Sequence, residues 1–550
     1  MRQQLRPLLL ATAATLLVFC SSAWFIHADK EPPSFDESWY LEVSCTLKRA
    51  LVEEGPLEFA KAYAKSFRFK APLISLVPLP AYLVFGISED AAFISNLASI
   101  PLTAFFLFLL GRRLFSEEVA TIAVIIWLTT PLTFGLSRRF FVESWLTTFT
   151  VATVYHLFAS KGLRDRRHMA WSGFHAGLAL LTKCFSPMFL FGSIVETMNS
   201  RHAQLGKKWK RGIFEDLRPF FYTATPIVLS WYAFNWMTTA AFMVRSAYGD
   251  IGAHYGNGPA WHPSNLIRFT KIILAACTSN YYATAAIITL IIVLTLKKSK
   301  PTEKELAGLK LCVLWTAIPF LLLVSGTANE VRPLLSCLPA FSIILAWMLL
   351  RSLEKIRAKP LALASFFVYP FLAFLLQTFP STFAGASQFI PRTSAWTGPP
   401  KTTGRMGQQE FVDALAQDIR APSVVALGLE HRYFNANRLA TLSACGGHDL
   451  QFVNYGHMES KVERIVARLS QKNVDHLLLV EKLPAFGLPE YAVAAQKSLT
   501  HLLKSEKLPF KSLKKYTLQN GAIVHLLQRT GQIRMIGRGP HALPTRGKLE

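Results

Sequence analysis

The sequence predicts a polytopic α-helical membrane protein that carries a small α/β domain at its C-terminal end. Three observations predict it. Long apolar runs recur through the first 380 residues, with 51% of the chain hydrophobic and only 17% charged. Much of the Lys and Arg falls in short loops between those runs, the pattern that encodes orientation in a bilayer. From about residue 385 the composition changes to short strands and amphipathic helices.

Taken in order, the basic start Arg2 to Arg6 precedes an apolar run from Pro7 to Ile26, long enough to be a first span with its N-terminus in the cytoplasm. Residues 28–90 form a polar-to-amphipathic outer loop. Its apolar piece 71–86 carries Pro72, Pro78 and Pro80, so it reads as an interfacial or re-entrant helix and not a straight span. Further runs lie at 91–110, 119–137, 140–159, 169–182, 185–198, 219–240, 269–296, 309–328, 333–350 and 360–380. Alternating sides gives about eleven transmembrane helices. Every basic loop is then cytoplasmic, and residues 28–90, 241–268 and 329–332 lie outside. Counting 71–86 as a span would put the basic loops outside, so the charge pattern decides for eleven.

The expected domains are 1–384 in the membrane, 385–530 as an extracytoplasmic α/β domain and 531–550 as a basic disordered tail. Within the second, Gln408 to Arg420 and Met458 to Leu469 read as helices, Ser423 to Leu429 and His476 to Val480 as strands, and Leu488 to Leu503 as a helix. Tyr516 to Leu527 reads as a hairpin turning at Asn520-Gly521. A net charge of +25 would suggest nucleic acid in a soluble protein. Here it sits in topogenic loops, so no nucleic-acid partner is expected. The seven cysteines are scattered and mostly in apolar runs, so neither a disulfide framework nor a zinc site is indicated; Cys45 and Cys445 would share the outer compartment, but no bridge between them is expected.

With this topology several ionisable residues converge on the outer face. Asp36 and Glu37 lie in the first outer loop among Phe35, Trp39 and Tyr40, and Lys70 ends its amphipathic part. Arg138, Arg139 and Glu143 lie where the third span exits and the fourth begins. Lys183 separates the short fifth and sixth spans, and Arg332 precedes the tenth. Charged groups at membrane depth are costly unless paired or solvated, which makes a functional site the default hypothesis. Against it stand headgroup contact for Arg138 and Arg139, snorkelling for Lys183, and a solvated loop with interfacial aromatic anchors for residues 34–40.

Asp-Glu shortly after the first span, Lys70-Ala71-Pro72-Leu73, Gly111-Arg112-Arg113-Leu114-Phe115, an acidic residue opening the fourth span, and Leu181-Thr182-Lys183 recur together in one family. Over roughly residues 1–380 the chain resembles GT-C fold glycosyltransferases of the protein O-mannosyltransferase and lipid A aminoarabinose transferase type. The resemblance implies a polyprenyl-phosphate sugar donor, an acceptor hydroxyl or phosphate on a glycolipid, glycan or protein, and inversion at the anomeric carbon. It implies Asp36 as the catalytic carboxylate and Glu143, where many members carry aspartate, as a second catalytic acid. Lys70 falls on the lysine of a Lys-Pro-Pro-Leu motif, Ala71 replacing the first proline. The chemistry agrees: a hydroxyl nucleophile needs a positioned base, and a departing phosphate needs cations, for which Lys70, Arg138 and Arg332 are candidates beside Glu37, Arg139 and Lys183 as substrate contacts. Cofactor use is left open: Asp36 and Glu143 are the acids able to hold a divalent metal, and no supporting ligand pattern accompanies them. A bacterial inner membrane is the expected location. A transporter or flippase of a lipid-linked substrate is the alternative; it would more often bring internal repeats and mid-membrane charges, whereas here the polar residues gather at one face.

The topology has a direct check. An impermeant thiol reagent on intact cells is expected to label a cysteine placed at position 460 and to spare one at position 165; the reverse result overturns the assignment.

Overall fold

The computed structural model describes residues 2–205, 209–249, 259–295, 300–327, 330–379, 397–401, 407–429, 431–456, 459, 461–481 and 490–533. The expected domain start at 385 and the tail from 534 onward lie outside them. The chain divides into two compact units, one of residues 1–29 and 50–400, the other of residues 30–49 and 401–550. The division differs from the boundaries read in the sequence. The 20 residues around Asp36 belong to one compact unit with the C-terminal segment.

The first unit is helical, and each of the eleven apolar runs is occupied by a helix or a bent pair. They are α1 (Arg2–Ala28), then, after α2 of the other unit (Phe35–Arg49), α3 (Pro56–Lys65), α4 (Leu73–Leu76), α5 (Leu79–Phe85), α6 (Glu89–Leu97) and α7 (Ser99–Leu114). There follow α8 (Glu117–Thr129), α9 (Pro131–Ser137), α10 (Glu143–Ala159), α11 (Arg166–Thr182), α12 (Pro187–Leu205) and α13 (Trp209–Ala247). The remainder are α14 (Pro263–Ile272), α15 (Ser279–Thr295), α16 (Glu303–Ser325), α17 (Leu338–Ser352) and α18 (Lys359–Thr378).

Among the described residues six helical stretches are long and apolar enough to cross a membrane, and eight if each bent pair is one span. The bends have local causes. Pro131 opens α9 and breaks the run begun by α8, and a π turn at Ile273–Cys277 separates α14 from α15. α10 and α11, 17 residues each, fall short of that length. The proline-bearing piece 71–86 forms only the short helices α4 and α5.

Polar caps start the helices that leave the basic loops. Ser116 accepts from the Val119 amide, Asp165 from those of Arg167 and His168, and Thr302 forms a reciprocal capping box with Glu305. α8 and α10 are buried along nearly their whole length. The long helix α13 is the opposite, with only 17% of its apolar stretch buried within the protein.

α11 and α13 approach closely through Gly173 and Gly177, spaced four apart. A Cβ at Gly173 would stand 2.0 Å from the Phe220 carbonyl oxygen, and one at Gly177 3.2 Å from the Ala224 oxygen. This is the small-residue contact by which helices associate where lipid offers no hydrophobic gradient.

The second unit is a three-layer α/β domain. Its sheet has the order β2-β1-β3-β5-β4, with β1 (Ser423–Leu427), β2 (Leu450–Asn454), β3 (His476–Glu481), β4 (Phe510–Thr517) and β5 (Ile523–Arg529). β1 runs parallel to β2 and β3, while β5 pairs antiparallel with β3 and β4. The β4–β5 hairpin turns at Asn520-Gly521, where Gly521 takes φ +79° and the Asn520 side chain accepts from the Ala522 amide. One face buries Val425, Leu427 and Leu478 under α19 (Gln408–Asp418) and α20 (Ala436–Cys445). The other buries Ala426 and Leu477 under α21 (Val462–Gln471) and α22 (Glu490–Lys504). α2 packs on α20, and Cys45 and Cys445 are joined in a disulfide between them. This bond corrects the expectation of no bridge between the two: they lie 400 residues apart in sequence, and the packing of α2 on α20 brings them together.

Gly173→Ala is expected to lower the melting temperature in detergent by several degrees, the effect of roughly 1–3 kcal/mol of overpacking. Phe174→Leu, on the exposed side of the same turn, should leave it near the wild-type value.

Candidate active site

In the helical unit the site is built where two helix ends meet. Glu143 is the first residue of α10, and a carboxylate at a helix N-terminus is favoured by the unpaired amides there. Lys183 caps the C-terminus of α11, the end that favours a cation, and its amide donates to the Ala179 carbonyl. Lys183 Nζ donates to Glu143 Oε1 at 2.6 Å. The Glu143 side chain is 1% exposed and that of Lys183 19%, so the pair is sealed on the acid's side and open on the lysine's. The second oxygen, Oε2, has no hydrogen-bond partner among the described residues.

Arg332 opens a 3-10 turn, Arg332–Cys337, that precedes α17. Its guanidinium lies 4.5 Å from the centre of the Phe141 ring, its Nε donates to Glu330, and it is within electrostatic reach of Glu143. The turn is fixed to α10 by a hydrogen bond of 3.1 Å between the Ser336 and Thr147 hydroxyls. Lys70 is half-buried at the end of the segment before α4, and it acts electrostatically on the Cys184 thiol beside Lys183. Glu143, Lys183, Arg332 and Lys70, from four separate stretches of chain, therefore share one neighbourhood.

Arg138 and Arg139 stand at the corner before α10 with different partners. The Arg138 guanidinium lies 4.4, 5.2 and 5.4 Å from the ring centres of Phe25, Phe134 and Phe374. It donates to Ser22 and Thr378, and only 2% of the residue is exposed. These contacts tie α1, α9 and α18 together. Arg139 pairs with Asp29 at 3.6 Å, and its carbonyl accepts from Asn96 at 2.7 Å.

In the second unit α2 opens with Ser34 as its cap. Glu37 is fully buried, and its Oε2 accepts from the Ser34 amide at 2.9 Å and hydroxyl at 2.6 Å. Glu37 is thus committed to the helix start. Asp36, next to it, is half-buried. Glu42, further along the same helix, was not singled out by the sequence. Burial pushes its carboxyl pKa up to about 7, near the value that suits a general base at neutral pH. Among the described residues no group of three or more His, Cys, Asp or Glu is arranged to hold a metal ion.

Residues 70–214 match the model of the family described as dolichyl-phosphate-mannose-protein mannosyltransferase. No curated protein matches the chain by sequence. The crystal structure of ArnT from Cupriavidus metallidurans bound to undecaprenyl phosphate is similar over 94% of this chain and 97% of that one, with a TM-score of 0.60 at 15% identity. The chain has the GT-C fold. The apo form of ArnT gives a TM-score of 0.57 at 14% identity over the same shares of the two chains. The archaeal oligosaccharyltransferase AglB from Archaeoglobus fulgidus, in complex with an inhibitory peptide and a dolichol-phosphate, gives 0.51 at 11% identity over 94% of this chain and 74% of that one. Within this GT-C chain, the family match spans Lys70, Arg138, Arg139, Glu143 and Lys183, and ends before Arg332.

Breaking the buried pair from one side strands a charge, which typically costs about 3–5 kcal/mol, whereas removing both partners does not. Glu143→Gln/Lys183→Met is therefore expected to melt at a higher temperature than Lys183→Met alone, with both variants below wild-type turnover.

Proposed function

We propose that this chain is an integral membrane glycosyltransferase that moves a sugar from a polyprenyl-phosphate carrier to an acceptor hydroxyl or phosphate, with inversion. The observation that carries the reading is the meeting of Lys183 and Arg332 at Glu143 in a GT-C unit, with Lys70 within electrostatic reach of Cys184 beside Lys183. The GT-C fold favours the enzyme over a transporter or flippase.

The proposed step is a single displacement. The acceptor oxygen attacks the anomeric carbon while its proton passes to the carboxylate of Asp36. The bond from carbon to phosphate oxygen breaks, and the electron pair leaves with the polyprenyl phosphate. Lys70, Lys183 and Arg332 meet the charge that grows on that phosphate. A lipid phosphate leaves without protonation, so the reaction calls for one base and no general acid. Glu143 holds Lys183 in place, and Glu37 holds the start of the helix bearing Asp36. Arg138 and Arg139 serve the corner before α10. Glu42, on the same helix, is the carboxylate to test beside Asp36.

The Cys45–Cys445 bond supports an oxidising, extracytoplasmic setting for the second unit, in agreement with the loop charges. The location proposed is a bacterial inner membrane, with a glycolipid, glycan or protein as acceptor.

Membranes holding matched amounts of each variant supply the test. Transfer is expected from a polyprenyl-phosphate sugar and not from a nucleotide sugar. Asp36→Asn should lose about 10²–10⁴-fold in rate, while Glu37→Gln, whose amide oxygen still accepts from Ser34, should retain most of it. Loss in Glu42→Gln with activity in Asp36→Asn moves the base to Glu42. Robust transfer from a nucleotide sugar without lipid overturns the reading.

A further inference from the structure

α2 does not hold its own position. A helix of 15 residues is marginal alone in water, and α2 is tied along its whole length to the C-terminal segment. The Asn437 amide donates to the Phe35 carbonyl at 3.2 Å, and the Thr441 hydroxyl donates to that of Ser38. Cys45 is bonded to Cys445, and Arg49 donates to Asp449 at 3.0 Å. The partners advance in the same order on both sides, so α2 and α20 run parallel. Asp36 falls between the first two ties, which fix the turn of helix that carries it.

Just before the helix, Glu31 pairs with Lys401 at 2.5 Å and accepts from the Tyr433 hydroxyl, and the Lys30 amide donates to the Lys401 carbonyl at 2.7 Å. α20 is itself anchored. Leu439 and Leu442 enter the core beneath the sheet, and the Ser443 hydroxyl donates to the Leu450 carbonyl of β2 at 2.9 Å.

We propose that the C-terminal α/β unit is the positioning device for Asp36, with Asn437, Thr441 and the Cys45–Cys445 bond as positioning residues and the bond as its lock. The sheet holds α20, α20 holds α2, and α2 holds the carboxylate. The catalytic part of the inference rests on the glycosyltransferase reading above. The mechanical part, that the bond and the hydroxyl of Thr441 hold α2, does not.

Two readouts on the full-length protein separate them. The first is hydrogen exchange with and without a reductant, and in Cys45→Ser/Cys445→Ser. Amides of residues 35–49 are expected to exchange faster once the bond is gone, while those of β1 and β3 keep their rates. Unchanged exchange in residues 35–49 overturns the proposal whether or not the protein transfers sugar.

The second is transfer from a polyprenyl-phosphate sugar. Losing the bond should lower kcat by about tenfold to a hundredfold, the usual effect of a slightly misplaced catalytic group. The KM for the donor should stay unchanged, because Lys70, Lys183 and Arg332 belong to the other unit. Thr441→Val should repeat the fall without touching a cysteine, and Thr441→Ser, which keeps the hydroxyl, should restore kcat. Wild-type kcat in both the double serine variant and Thr441→Val, in a protein that transfers sugar, overturns the proposal. So does an equal loss in Thr441→Ser. A wild-type protein that exchanges as expected but transfers nothing refutes the glycosyltransferase reading and leaves α2 held as described.

Discussion

A carboxylate that is 1% exposed inside a helical bundle exists only because a lysine reaches it. The pairing of Glu143 with Lys183 is the constraint around which the GT-C unit is arranged. It obliges α10 to begin where α11 ends, and so fixes the corner that Phe140 to Val142 must turn. The 3-10 turn of Arg332 closes against the same corner through Phe141 and Thr147. The pair joins an acid at a helix N-terminus to a base at a helix C-terminus, so both backbone dipoles favour it. Burying it is expensive in free energy, and the proposed role in meeting a phosphate gives that cost a reason.

The two acidic neighbours Asp36 and Glu37 illustrate how burial divides labour between like groups. Glu37 spends both lone pairs of one oxygen on Ser34 and disappears into the helix start. Asp36 keeps part of its surface. Two adjacent carboxylates on a helix point about a hundred degrees apart, so one of them capping the chain leaves the other facing elsewhere. Arg138 makes the same point for cations. Three aromatic rings and two hydroxyls surround its guanidinium, and it binds helices together where a looser arginine would meet solvent.

Much of this was legible in the residues. Apolar runs marked the long helices of the first unit, though not α3, because a span must satisfy its backbone internally and has few ways to do so. Asn520-Gly521 marked the hairpin, since its turn needs positive φ. Glu143, Lys183, Arg332 and Lys70 stood out as ionisable groups close to apolar runs, and the fold brings them together. What was not legible is non-local. Nothing near residue 45 announces a partner at residue 445, and nothing in residues 30–49 says that they pack on a domain beginning after residue 400. The spacing of Gly173 and Gly177 carries meaning only once α13 is known to lie against them. The raised pKa of Glu42 depends wholly on what surrounds it.

The attachment of α2 to α20 also dictates an order of biosynthesis. α2 emerges early, yet its partner helix is made some 400 residues later. At about 5–20 residues per second, that delay is roughly 20–80 s. During that interval a helix of 15 residues, with a free thiol and an unsatisfied face, must wait while the rest of the chain is threaded into the bilayer. The helix therefore takes its final place late, and a ribosome that stops short of residue 436 leaves it without its partners Asn437, Thr441 and Cys445.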